Sequence, residues 1–253
     1  MCTLALYFRL LDEHPLIVAA NRDEHYERPS EPPSLWKADP AIVAGKDLLA
    51  GGTWLGVNEY GLLVGILNRR VNREQDPVGS TRSRGLLCLD LLKLETAAEA
   101  HGFLQARVER YQPFTVVFAD SSQAWLAYNL WREIKADRLN EGLHVLSNTG
   151  NADTRSEKIN RAYRKFARLV DELKSRHSSG WPELFAKVLE DHNLGDGSQD
   201  PRDAICVHTD SSGTVSSSIV VYSRTGRRFQ TFYCPGPPCQ NSFGESPPLG
   251  VIS

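Results

Sequence analysis

A cysteine at the second position of the chain has the residue type that nucleophilic catalysis requires. Removal of Met1 would leave Cys2 with a thiol and a free α-amine on one residue. The unperturbed pKa is about 7.7–8.0 for such an amine and about 8.5 for the thiol, so the amine can accept the thiol proton directly or through a water. Cys2 would then be both nucleophile and base. The alternative is that Cys2 is simply an early apolar residue.

Four consecutive polar residues close the strand that we expect beside Cys2, and they are Asn21, Arg22, Asp23 and Glu24. Strand alternation places Asn21 and Asp23 on one face, with Arg22 and Glu24 on the other. A carboxylate near the α-amine would hold it in place and favour its charged form, and an Asn amide would be a donor for an oxyanion. The alternative interpretation is a salt-bridged strand end.

Three residues are candidates for substrate binding. Trp54 is either a core aromatic under a hairpin or part of the lining of a pocket for an apolar ligand. Trp36 lies in a Pro-rich segment, Arg28–Pro40, that we expect to be a loop, and it is better placed as a pocket lid. Arg84 follows Ser83, a predicted helix N-cap, so it could receive a carboxylate or a phosphate with help from the helix N-terminus.

The order of elements that must position these residues is four strands, two helices, three strands, two helices and three strands. Strands are predicted at 3–10, 16–22, 53–58, 62–68, 114–119, 124–130, 144–147, 204–208, 216–222 and 227–233. Helices are predicted at 85–94, after a Thr96 N-cap, at 154–177 with one apolar stripe, and at 182–191. Hairpin-linked strands and paired helices predict the α+β class, as an αββα sandwich of two antiparallel sheets covered by helices.

The composition is that of an ordinary globular protein. The 253 residues are 41% hydrophobic and 24% charged with a net charge of −2, which argues against disorder and against a polyanion-binding surface. We therefore expect no nucleic-acid partner. We see no segment of membrane-spanning length and no basic leader, so we expect no membrane span and a cytoplasmic location. One domain is expected over residues 1–234, followed by a flexible Pro/Gly/Ser-rich tail over 235–253.

The five cysteines do not suggest a disulfide framework, because their number is odd and their spacing wide. Cys234 and Cys239 lie close together, and we interpret them as reduced thiols, with a bridge or half a metal site as the alternative. Neither His177 nor His192 has a zinc-type spacing from a Cys pair. We therefore expect no metal site.

Several motifs together resemble one known family. They are Met1-Cys2, Asn21-Arg22-Asp23-Glu24 with Tyr26, Arg28 and Pro29, and Gly51-Gly52-Thr53-Trp54-Leu55-Gly56. Further agreement comes at Leu67-Asn68, Ser83-Arg84-Gly85, Leu146-Ser147-Asn148, Lys158 and Ser218-Ile219-Val220. The combination, over roughly residues 1 to 230, resembles the NRDE family, whose eukaryotic members are the Transport and Golgi organisation protein 2 homologues. That family is similar in turn to N-terminal-nucleophile hydrolases of the choloylglycine hydrolase and penicillin V acylase kind.

The resemblance implies roles for individual residues. Cys2 matches the nucleophile, Asp23 the acid that holds the α-amine, Asn68 an oxyanion donor and Asn148 the second active-site Asn. The arginine is displaced: those hydrolases place it three positions before the Asp, whereas Arg22 is adjacent to Asp23, and alternation turns it away from the face of Asp23. Their second arginine has no clear match, and the resemblance leaves Lys158 or Arg155 to supply its charge.

Three functions follow as hypotheses. The first is a cysteine amidohydrolase of the N-terminal-nucleophile type that acts on a linear, non-peptide C–N bond, which retention of Met1 would exclude. The second is a carrier that binds an acyl chain or a haem without turnover, with Cys2 as an iron ligand or a remnant. The third is a scaffold whose Arg28–Pro40 segment and tail bind partners. We expect a small-molecule amide, acyl or haem ligand and no cofactor, apart from haem as a ligand in the second case.

Overall fold

The computed structural model describes residues 2–69, 81–106, 110–129, 133–148, 156–195 and 197–252. The single domain expected over residues 1–234 divides into two compact units, each built from separate segments of chain. The first unit holds the residues up to Arg28 together with Glu141–Thr225 and Gln230–Ser246. The second holds Pro29–Asn140, Gly226–Phe229 and Pro247–Ser253.

Strands and helices alternate along the chain in groups. The strands are β1 (Thr3–Phe8), β2 (Leu16–His25), β3 (Ser30–Trp36), β4 (Ile42–Asp47), β5 (Leu55–Asn58), β6 (Leu63–Asn68), β7 (Phe114–Ala119), β8 (Ala124–Asn129), β9 (Ile134–Leu139), β10 (Gly142–Ser147), β11 (Ser212–Ser223), β12 (Arg228–Cys234), β13 (Gly244–Glu245) and β14 (Leu249–Gly250). The α-helices are α1 (Arg84–Leu92), α2 (Ala97–Ala106), α3 (Glu157–Arg168), α4 (Val170–Ser175) and α5 (Trp181–Leu189).

The first sheet has the strand order β10-β1-β2-β11-β12-β13, and β14 also pairs with β12. Alternate residues of its strands, such as Tyr7, Ile17 and Val145, share one buried core with α3 and α5. The α3 residues in that core are Ile159, Ala162 and Phe166. Their spacing is that of the apolar stripe predicted from the sequence, because positions three and four apart lie on one helix face.

The second sheet runs in the order β3-β4-β5-β6-β7-β8-β9, and α1 and α2 share its core. Ser83 caps α1 as predicted, since its hydroxyl accepts a hydrogen bond from Gly85 N–H at 3.3 Å. The turn at Gly51 and Gly52 lies against this helix start. Gly51 has a φ of 72°, and a Cβ at Gly52 would lie 2.2 Å from the carbonyl carbon of Gly85. Only glycine fits this close approach of two backbones.

The structure corrects several predicted elements. The Arg28–Pro40 segment is not a loop, because it contains β3. Proline lacks a backbone donor and is tolerated at a sheet edge, where β3 lies, and the register of β3 shifts between Glu31 and Ser34. Residues 204–208 form no strand and contribute only a bridge at His208. Strands β4 and β9 were not predicted, and the single helix expected over 154–177 is interrupted at Leu169.

The tail over 235–253 was expected to be flexible, but it contributes two short strands. β13 pairs with Phe232 and Tyr233 of β12, and β14 pairs with Arg228 and Phe229. The α+β class itself is confirmed, since both sheets are antiparallel and helices cover each of them. Within the described ranges, no helix combines the length and the apolar character that crossing a bilayer requires.

Candidate functional site

The thiol of Cys2 lies against the backbone of Asp23. The Asp23 N–H donates to Cys2 Sγ at 3.4 Å, and the thiol can donate to the Asp23 carbonyl oxygen at 3.6 Å. Strand pairing produces this contact, since Thr3 lies opposite Asn21 of β2 and opposite Ser147 of β10. Continuing both registers by one residue places Cys2 between Arg22 and Asn148.

Arg22 lies on the face opposite Asp23, as the alternation predicts, and its charge nevertheless affects the pKa of the Cys2 thiol. Directly opposed residues of an antiparallel pair point to the same side of the sheet, so Arg22 shares its face with Cys2. Burial raises the pKa of the Cys2 thiol and the charge of Asp23 raises it further, whereas the Arg22 charge lowers it. Arg22 is itself buried, with 7% of its surface exposed. The displaced arginine thus acts electrostatically on Cys2.

The Asp23 carboxyl group is held by Thr214 at the start of β11. The Thr214 hydroxyl donates to Asp23 Oδ1 at 2.7 Å and accepts from Val207 N–H at 2.9 Å. Burial raises the pKa of Asp23, and the nearby positive charge of Lys158 lowers it. The group is therefore an acid whose charged form depends on a cation close by.

Lys158 provides that cation from the first turn of α3. It is 5% exposed, and its Nζ donates to the Arg202 carbonyl oxygen at 3.1 Å. Burial lowers the pKa of Lys158, while Asp23 and Cys2 raise it. Ser156 caps the helix by accepting a hydrogen bond from Ile159 N–H at 3.2 Å. This cap fixes where the helix begins and therefore where Lys158 lies. Arg155, the other candidate for this charge, lies outside the described residues.

Asn21 and Asn148, the two candidate asparagines in the first unit, differ in how many hydrogen bonds their side chains make. Asn21 is fully engaged: its amide donates to the carbonyl oxygens of Leu189 at 2.8 Å and Ile205 at 2.9 Å, and its Oδ1 accepts from Ser217 at 2.6 Å. The oxyanion role assigned to Asn21 is therefore wrong, because both amide hydrogens are already used. Asn148 is buried, and among the residues that the structure describes its Oδ1 has no hydrogen-bond partner.

Four predicted site residues belong to the second unit. Asn68 ends β6 and is exposed. Trp54 lies against Gly45 of β4, where a Cβ would come within 2.7 Å of its ring, so it fills the space above a strand. Trp36 is the last residue of β3 and packs on the core of α1 and α2, which corrects its assignment to a loop lid. Arg84 begins α1, and its guanidinium donates to the Gln112 side chain at 3.2 Å.

A cluster that the sequence reasoning missed lies in the first unit. The side chains of His192, Cys206, His208 and Cys239 place one ligand atom each within 4.8 Å of the others. The sequence shows no zinc-type spacing because the members come from three separate segments of the chain. The only local signal was the short Cys206-Val207-His208 run. Burial and the neighbouring His192 lower the pKa of His208, and Asp23 raises it, so the cluster lies within electrostatic range of the candidate site.

Comparison with known proteins identifies the family. The sequence profile of the family described as Transport and Golgi organisation 2 matches residues 1–232. The chain belongs to this family. A Mus musculus member, the Transport and Golgi organization 2 homolog, is 36% identical over 117 residues, which cover 42% of this chain and 39% of the mouse protein. The Bos taurus homolog is 33% identical over 114 residues and also matches over 39% of its length. The matches thus span well under half of these curated relatives.

Solved structures share the fold at low sequence identity. A variant of conjugated bile acid hydrolase from Clostridium perfringens superposes with a TM-score of 0.55 at 11% identity, over 100% of this chain and 98% of that chain. The Caenorhabditis elegans ortholog of N-acylethanolamine-hydrolyzing acid amidase gives a TM-score of 0.52 at 13% identity, over 87% and 92% of the two chains. These likenesses confirm the predicted N-terminal-nucleophile-hydrolase fold class.

Proposed function

We propose that this member of the Transport and Golgi organisation 2 family is a cysteine amidohydrolase that cleaves a linear, non-peptide C–N bond, with Cys2 as nucleophile after removal of Met1. The observation that carries the proposal is the contact, at the start of β1, between the Cys2 thiol and the backbone of the half-buried Asp23, with two buried cations whose charges lower the pKa values of these two groups. Cys2 Sγ lies 3.4 Å from the Asp23 nitrogen, and Arg22 and Lys158 are the cations.

The first step is transfer of the Cys2 proton to the α-amine of the same residue. Burial raises the pKa of the thiol, so the thiol needs a base at neutral pH, and the amine is the nearest one by covalent structure. The Asp23 carboxylate favours the resulting ammonium group. The Asp23 N–H and the Arg22 charge stabilise the thiolate on its other sides.

The thiolate then attacks the carbonyl carbon of the amide, forming a C–S bond and an oxyanion. The family resemblance assigns the donation of a side-chain N–H to this oxygen to Asn148 and to Asn68. Collapse of the intermediate breaks the C–N bond, and the leaving amine takes the proton from the α-ammonium. Water, deprotonated by the α-amine, then hydrolyses the thioester, which releases a carboxylic acid and restores Cys2.

The substrate class follows from the reaction type and from relatives of the fold. The solved relatives are named as hydrolases of an N-acylethanolamine and of conjugated bile acids. We extend hydrolysis of this kind to the present chain as a small-molecule amide that joins an acyl group to an amine. The reaction uses no cofactor in this proposal.

Intact mass spectrometry before and after iodoacetamide treatment at neutral pH tests the proposal. We expect the mass of a chain without Met1, and faster alkylation of Cys2 than of the internal controls Cys88, Cys206, Cys234 and Cys239. An N-terminally extended chain is the matched control, since its Cys2 has no free amine and should react slowly. A screen of acyl amides, with Cys2→Ala as the blank, then identifies the substrate.

Two results would contradict the hydrolase. One is a purified chain that retains Met1, and the other is a Cys2 that reacts no faster than the internal cysteines. In either case the alternative function is a carrier, and titration with haem and with acyl-CoA is the measurement that follows.

A further inference from the structure

The cluster of two histidines and two cysteines in the first unit has the dimensions of a metal centre. Cys206 Sγ lies 3.7 Å from Cys239 Sγ and 3.6 Å from His208 Nε2, and Cys239 Sγ lies 3.4 Å from His208 Nε2. A ligand atom of His192 lies within 4.8 Å of these three. The two imidazole rings are tilted by 36° with centroids 5.0 Å apart, so they converge without stacking.

These separations match a tetrahedral zinc ion. With Zn–S bonds of about 2.3 Å and Zn–N bonds of about 2.0–2.1 Å, a tetrahedral ion holds two sulfurs about 3.8 Å apart and a sulfur and a nitrogen about 3.5 Å apart. The three separations among Cys206, His208 and Cys239 agree with these values to about 0.1 Å. His192 is exposed, so its side chain has room to rotate into the fourth position.

We propose that His192, Cys206, His208 and Cys239 bind one Zn²⁺ ion in a closed, structural site. Four protein ligands leave no open position for substrate, which is the property that separates structural from catalytic zinc. Two thiolates and two imidazoles are also the donor set that favours Zn²⁺ over the harder divalent cations. The four ligands take no part in the proposed hydrolysis, so this proposal does not rest on that function.

The backbone around the ligands is already held in place. The Cys206 N–H donates to the Asp191 carbonyl oxygen at 2.9 Å, and Thr214 N–H donates to the Val207 carbonyl oxygen at 2.8 Å. Cys239 lies in a turn closed by Gln240 N–H, which donates to the Pro237 carbonyl oxygen at 3.0 Å. The ion would therefore join three ordered segments, and it would tie the tail to the segment that follows α5.

A disulfide between Cys206 and Cys239 explains the cluster less well. Both are free thiols with sulfurs 3.7 Å apart. A disulfide would also not explain why the ring nitrogens of His192 and His208 lie close to the two sulfurs. Cys234, in the same tail, is not a member of the cluster, because its thiol donates to the Gly236 carbonyl oxygen at 3.5 Å. Cys234 is therefore the matched control for Cys239.

The test is metal analysis of the full chain, purified without metal-affinity resin or chelator from zinc-containing medium. We expect about one Zn²⁺ per chain by inductively coupled plasma mass spectrometry in the wild-type protein and in Cys234→Ser. In Cys239→Ser we expect Zn²⁺ affinity to fall by more than the roughly 10- to 100-fold that loss of an outer partner costs. Circular dichroism checks that each variant is folded.

Titration with Co²⁺ in place of Zn²⁺ tests the site in the wild-type chain, so the result does not depend on whether the Cys variants fold. The metal-free wild-type chain, titrated with Co²⁺, should develop the visible bands of a tetrahedral ion and a near-ultraviolet thiolate charge-transfer band, and Zn²⁺ should abolish both. The proposal is overturned by a chain that binds neither ion, by a centre that contains iron, or by a Cys206–Cys239 disulfide in freshly purified protein. Equal zinc loss in folded Cys234→Ser and Cys239→Ser would overturn it as well.

Discussion

The backbone nitrogen of Asp23 lies 3.4 Å from the Sγ atom of Cys2 and donates its hydrogen to that sulfur. The contact joins two residues that are 21 positions apart, through the antiparallel pairing of β1 with β2. It gives Asp23 two separate functions in the proposed reaction. Its main chain stabilises the thiolate, and its carboxylate holds the α-amine.

Asp23→Asn separates these two functions, since it retains the backbone N–H and removes the carboxylate charge. The Asp23 charge raises the pKa of the Cys2 thiol but also stabilises the ammonium group that forms when the α-amine takes the thiol proton. We expect loss of the second effect to dominate, so that alkylation of Cys2 at neutral pH slows by roughly tenfold or more, because an opposite charge close by shifts a pKa by about 1–3 units. Stopped alkylation followed by intact mass spectrometry measures the rate. Glu24→Gln, on the same strand, is the matched control and should leave the rate unchanged. Equal rates in Asp23→Asn and wild type would remove Asp23 from the mechanism.

The raised pKa of Asp23 predicts how stability changes with pH. Burial raises this pKa in the folded chain, so the folded state holds the proton more tightly than the unfolded chain, in which the pKa is about 3.9. That stabilisation is complete below about pH 3.9 and is lost as the pH rises through the folded value. Asn cannot titrate. The free energy of unfolding of Asp23→Asn, relative to wild type, should therefore increase as the pH rises from about 4.

Urea denaturation of both proteins across this pH range measures the difference. A difference that is constant with pH would show that Asp23 has the same pKa in both states.

The N-cap of α3 should matter for both stability and reactivity. Ser156→Ala removes the hydrogen bond to Ile159 N–H and should cost about 0.5–2 kcal/mol of unfolding free energy. Because Lys158 lies in the first turn of this helix, the substitution should also slow the alkylation of Cys2. Ser83→Ala removes the equivalent cap of α1 and should destabilise the protein by a similar amount without changing Cys2. A Cys2 rate that is equal in the two variants would contradict a role for Lys158.

Asn21 should prove structural. Asn21→Leu leaves the carbonyl oxygens of Leu189 and Ile205 without their donor, at about 1–3 kcal/mol for each buried group left unpaired. Ser217→Ala removes a single hydrogen bond to the same side chain and should cost about 0.5–1.5 kcal/mol. Thermal or urea denaturation ranks the two. If Asn21→Leu is as stable as wild type but unreactive, Asn21 has a chemical role after all.

Local patterns predicted much of the fold because they depend on neighbouring residues alone. The β1–β2 hairpin, the cap at Ser83 and the apolar stripe of α3 each follow from residues within one or two turns or strands. The edge strand β3 escaped prediction because its prolines suit a loop equally well. A sheet edge, where a missing donor costs nothing, is a property of the whole sheet.

The sequence by itself determined the α+β class, the residue type and position of Cys2, and the placement of Arg22 and Asp23 on opposite faces of one strand. Only the tertiary structure decided that the charge of Arg22 lowers the pKa of the Cys2 thiol and that the charge of Lys158 lowers the pKa of Asp23. It also decided that the Asn21 side chain is fully hydrogen-bonded and that two histidines meet two cysteines. The physical reason is that these contacts depend on strand register and on helix packing between distant segments. Alternation and periodicity specify which way a side chain points, whereas packing specifies what it meets.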